Sequence, residues 1–141
     1  MSRSEYSEDC DDEWQLIMWR GAVKSALRGK RGQAFLRELI AALDAMPEKK
    51  LIDHDLVRPD GAVCAIGAVG LRRGIDMTKV DPENHAAVAE MFGIADAMAR
   101  EIFYLNDEAM YDPTPEARWA AMRQWAERNL VKPLPHHTED R

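Results

Sequence analysis

Apolar residues recur at three- and four-residue intervals through most of the chain, the spacing that lays one hydrophobic stripe along a helix. Leu16, Trp19, Val23 and Leu27 make such a stripe and predict a helix over about Glu13 to Arg28. Asp11 or Asp12 stands ready as its cap. Gly29-Lys30-Arg31-Gly32 breaks the pattern. Phe35, Leu36, Leu39, Ile40 and Leu43 then define a second helix from about Gln33 to Met46, which Pro47 stops.

Asp60 to Gly74 contains the longest run without polar residues. Its alanines, the Arg72-Arg73 pair and Gly74 as a terminal glycine predict a helix from Ala62 to Arg73. Gly67 and Gly70 weaken such a helix, and the use that fits them is close approach of a neighbour. The competing pattern is a short hairpin, with Leu51 to Val57 pairing with Ala62 to Val69 across the Pro59-Asp60-Gly61 turn. Asp81-Pro82-Glu83 predicts a helix start for residues Pro82 to Phe92, ended by Gly93. A further helix follows over Ala95 to Leu105, with Met98, Ala99, Ile102 and Phe103 inward. Thr114-Pro115-Glu116 starts the last, which runs to Asn129 with Trp119, Met122, Ala126 and Leu130 inward. The pattern predicts an all-α fold: a single compact bundle of about six helices over 13–131, with a short hairpin near 51–60 as the alternative there. Residues 1–12 read as a disordered acidic tail and 132–141 as a C-terminal tail.

Composition narrows the class. The chain has 141 residues, 46% of them hydrophobic and 31% charged, enough for a core without disulfide or metal staples. No apolar run approaches the roughly 20 residues of a membrane span, and the polar, acidic N-terminus does not resemble a signal peptide. Cys10 and Cys64 occur in such different surroundings that a disulfide between them is not expected, which fits a reducing cytoplasm.

The net charge of −6 is segregated. Six acids lie in Met1 to Glu13, and Arg20 to Lys50 holds eight basic residues against three acids. Arg20, Lys24 and Arg28 are four apart and form one helical stripe, which Lys30 and Arg31 extend. These five are candidate partner-binding residues. Trp14 and Trp125 fall off the predicted inward faces and are candidate exposed anchors for a protein partner.

Chemistry is sparse. Cys64 near a helix start is the one candidate nucleophile, with His54 as a conceivable base, but a cysteine among Ala, Val and Ile suits a small core position better. The acids around Asp53 and Asp107 lack the spacing of a specific metal site, so neither metal nor cofactor is expected. Val88 to Ile102 has the outline of a helix-turn-helix. Its second helix offers Asp96, Arg100 and Glu101, where base readout wants Arg, Lys, Asn or Gln, so nucleic acid is the less favoured partner.

Cys64-Ala65-Ile66-Gly67-Ala68, followed by Asn106-Asp107-Glu108 and by Thr114-Pro115-Glu116 with Trp119, resembles a family of small uncharacterised proteins found mainly in bacteriophages, prophages and bacteria. The likeness spans about Glu13 to Leu130. It implies no catalytic residue. It implies a phage or mobile-element setting, in which small accessory proteins often bind and block a host protein, including defence complexes such as CRISPR effectors. The resulting expectation is a non-enzymatic, cytoplasmic protein-binding module, plausible as an inhibitor of a host defence complex, with a homodimer among its assemblies. A DNA-binding regulator and a small enzyme using Cys64 are the alternatives.

Overall fold

The computed structural model describes residues 13–132, and the regular structure among them is helical. The helices are α1 (Glu13–Arg28), α2 (Lys30–Ala45), α3 (Ala65–Arg73), α4 (His85–Phe92), α5 (Asp96–Asp107) and α6 (Pro115–Arg128), with a 3-10 turn at Met77–Lys79. The expected tails lie outside the described residues, apart from Lys132. Two helices act as hubs. α2 packs against α1, α3 and α6, and α5 packs against α1, α3, α4 and α6. No helix among the described residues is long and apolar enough to cross a membrane.

The stripes fold as their spacing predicts. All five apolar residues of the α2 stripe are buried. On α1, Val23 and Leu27 are buried, while Leu16 and Trp19 are half-buried. Only Gly29 interrupts the first two helices, so Lys30 to Gly32 belong to α2 rather than to a loop. Gly32 belongs there because a Cβ at that position would overlap the Ala26 carbonyl oxygen of α1. A one-residue connection holds the two helices that close.

Between Leu51 and Cys64 both competing patterns are partly realised. Pro59-Asp60-Gly61 forms a hairpin turn in which Gly61 has φ 90°, the Arg58 N–H donates to Ala62 O (2.8 Å), and Asp60 Oδ1 accepts from the Ala62 N–H (3.0 Å). Val57 and Val63 make a single antiparallel bridge, and no strand grows from it. Val63 O accepts instead from the Ile52 N–H and Leu56 O from the Cys64 N–H. Those bonds hold Ala62 to Cys64 extended, so α3 starts at Ala65, three residues later than expected. Ala65 to Gly70 are all buried, and Gly74 closes the helix with φ 75°. At Gly67 a Cβ would overlap the Leu56 carbonyl oxygen.

A second start is also displaced. Asp81 does not cap α4. Its Oδ1 accepts from the Glu83 N–H in a preceding turn, and Asn84 caps the helix by accepting from the Ala87 N–H (3.1 Å). Thr114 caps α6 as expected, its Oγ1 accepting from the Ala117 N–H (3.0 Å).

Two bidentate ion pairs tie other helices to α2. Arg73 of α3 donates through Nε and Nη2 to Glu38 (2.7 and 2.6 Å) and lies over the Phe92 ring. Arg123 of α6 donates to both oxygens of Asp44 (2.6 and 2.9 Å). These guanidinium bonds hold both carboxyls below their ordinary values, burial opposing the shift less strongly. A depressed carboxyl stabilises the fold fully above its unfolded value, roughly 4, and the contribution is lost as pH falls through the folded value. The urea midpoint should therefore fall from about pH 5 to pH 3, and the fall should be shallower in an Arg73→Gln/Arg123→Gln double variant. Gly67→Ala should lower stability by roughly 1–3 kcal/mol through overlap with Leu56; an unchanged urea midpoint would show that this approach is not tight.

Candidate functional site

The C-terminal half of α1 and the end of α6 form the walls of a groove of about 530 Å³. Lys24, Leu27 and Arg28 line one side, and Arg128, Asn129, Leu130 and Val131 line the other. Leu27 and Leu130 are buried and form an apolar floor, while Val131 is 67% exposed at the edge. The lining holds three cations and no acid. A concave surface of this kind attracts an anionic group and offers apolar contact beneath it.

One side chain fixes the groove's width. Gln33 of α2 donates through Nε2 to Leu27 O (2.7 Å) and to Asn129 O (2.9 Å). Its Oε1 accepts from the Val131 N–H (2.9 Å). Gln33 thus clamps the last turn of α1 to the residues that follow α6. Arg37 adds a bond from Nη2 to Lys132 O (3.1 Å). Sequence periodicity contains no sign of this clamp, because a glutamine among polar helix residues looks like surface. Arg128, more than ninety positions from the stripe it joins, was equally hidden.

The five expected basic residues do not form one patch. Arg20, Lys24 and Arg28 are exposed along α1. Lys30 and Arg31 line a separate shallow cavity of about 290 Å³ with Ser25, Ala26, Gly29, Gly32 and Ala95. Trp14 is 67% exposed, as its place off the predicted inward face implies. Trp125 is not exposed: it is a core residue at 8%. The inward face of α6 is Arg118, Met122, Trp125 and Ala126. Trp119 is only half-buried, donates from Nε1 to Leu43 O (3.1 Å) and carries Lys49 over its ring. The inward stripe of α6 is thus turned toward Trp125 relative to the one expected.

A second, polar cavity of about 330 Å³ lies beside the 51–58 loop, lined in part by Asp53, Arg58, Asp107, Asp112 and Arg118. Arg118 in its lining and Asn106, which precedes the lining residue Asp107, have structural roles. Asn106, 2% exposed, accepts at Oδ1 from the Ala65 N–H (3.1 Å) and donates to Ile52 O (2.9 Å) and Asp107 Oδ1 (2.6 Å). Arg118, 6% exposed, donates to Asn106 O (2.7 Å) and Leu51 O (3.1 Å) and lies 3.5 Å from Asp53 Oδ2. His54, with φ 66°, donates its N–H to Asp107 Oδ1 (3.2 Å). Among the described residues no group of three or more His, Cys, Asp or Glu side chains is placed to hold a metal ion.

The alternatives lose their working parts. Cys64 is 1% exposed, and its Sγ caps α3 by accepting from the Gly67 N–H (3.4 Å). A thiol spent as a cap and closed to solvent is poorly placed to attack a substrate. α5, the would-be recognition helix, buries Met98, Ala99, Ile102, Phe103 and Asn106 and leaves the rest of its residues half-buried.

Asn106→Ala should cost roughly 2–4 kcal/mol, because it strands the Ala65 N–H and the Ile52 carbonyl in a buried site; chemical denaturation measures it. The chain matches no protein-family model, no curated protein and no solved structure.

Proposed function

We propose that this chain is a non-enzymatic protein-binding module that docks an acidic segment of another protein in the groove between α1 and α6. The observation that carries the reading is the grouping of Lys24, Arg28 and Arg128 over Leu27 and Leu130, with no acid in the lining. An acidic peptide with an apolar side chain matches both features. Nucleic acid matches only the charge. The groove carries no aromatic side chain on which a base would stack, and the chain as a whole bears −6.

The setting we propose is a phage or prophage, with a host defence complex of the CRISPR-effector kind as the partner. The motifs at Cys64 to Ala68, Asn106 to Glu108 and Thr114 to Glu116 support it by resemblance. The buried Cys64 supports a binder over an enzyme.

A photo-cross-linker at Val131 should capture a protein in host extract, and one at Glu83, on another loop, should not. Lys24→Glu/Arg128→Glu should abolish that capture while circular dichroism stays unchanged. It should also weaken affinity for the identified partner at least tenfold, with a reduced dependence on salt. Undiminished capture by the double variant would refute the groove reading. A salt-sensitive shift of duplex DNA by the wild-type protein, lost in the same variant, would replace it with nucleic-acid binding.

A further inference from the structure

The outer face of α1 combines large exposed apolar side chains with small residues. Trp14, Ile17 and Met18 are 67%, 54% and 59% exposed, more than α1's position in a packed domain requires. One turn further, Gly21, Ala22 and Ser25 are exposed too. A Cβ at Gly21 would meet nothing within 4 Å, so no neighbour among the described residues accounts for a glycine in mid-helix, where it costs about 1 kcal/mol relative to alanine.

We infer that α1 is a self-pairing surface, and that two copies of the chain dock α1 against α1, antiparallel, about a two-fold axis crossing between Trp19 and Arg20. The argument is self-complementarity, which a two-fold interface demands. With the axis there, Trp14 lies at the level of Ser25 in the other copy, Ile17 at the level of Ala22, and Met18 at the level of Gly21. Every large apolar side chain meets a small residue, and the glycine lets the two backbones approach. A parallel pairing would set Trp14 on Trp14 and Gly21 on Gly21, bulk against bulk and gap against gap. α1 is about 24 Å long at 1.5 Å per residue. One such helix pair buries less than the roughly 1,600 Å² of a standard interface. The expected dissociation constant is therefore micromolar rather than nanomolar.

This inference does not rest on the groove reading, and its variants leave Lys24 and Arg128 untouched. Sedimentation velocity of the full chain from about 1 to 500 µM should show a monomer–dimer equilibrium. Gly21→Leu should shift dissociation at least tenfold toward monomer. The open space at Gly21 leaves the fold intact, so its thermal melt at low concentration should be no lower than the parent's. Trp14→Ala/Met18→Glu should do the same to the dimer. In a Cys10→Ser background, a mixture of Met18→Cys and Gly21→Cys chains should form the mixed disulfide on mild oxidation in preference to either homodimer. A monomer at every concentration, or Gly21→Leu dimerising like the parent, would overturn the inference. So would Met18→Cys cross-linking chiefly to itself, the mark of a parallel pair.

Discussion

Leu51 to Cys64 is largely non-helical and partly buried, so its backbone groups need partners that no helix ladder supplies. Asn106 and Arg118 supply them. Asn106 takes up Ile52 O and Ala65 N–H, and Arg118 takes up Leu51 O and Asn106 O. This knot ties the loop and the start of α3 to the end of α5 and to α6. A buried guanidinium and a buried amide would each be costly alone. With Arg118 bonded to the Asn106 carbonyl and both side chains bonded to the loop, they stabilise the one arrangement that satisfies them together. The glycine contacts follow from it: the loop lies so close to α3 that position 67 has no room for a side chain.

With α6 held in place, its C-terminal end meets α1, and Gln33 joins the two walls. The charged groove is a product of two helix C-termini brought together, not of one helix face.

Helix positions were largely legible because periodicity reports burial of a face, as the five buried residues of the α2 stripe show. Starts were less legible where two caps compete: Asp81 and Asn84 both suit a helix, and local turn geometry chose the second. Trp125 illustrates a different limit. Spacing shows that a stripe exists on α6 but leaves its rotation open to within a residue, and that is enough to exchange an exposed tryptophan for a buried one. The candidate site was legible in half. Lys24 and Arg28 stand out in the sequence, whereas Arg128 is brought to them by the fold and Gln33 ties the two walls through bonds across 96 and 98 positions.

The Asn106–Arg118 knot has a kinetic consequence. Its bonds span 41, 54 and 67 residues, whereas α1 with α2 and α4 with α5 are sequence neighbours. Loop-closure entropy makes the neighbouring pairs quick to form and the knot late. Interactions absent from the folding transition state govern how slowly a protein comes apart. The two buried polar side chains thus act as a latch on the native state, setting its lifetime more than the speed at which it is reached.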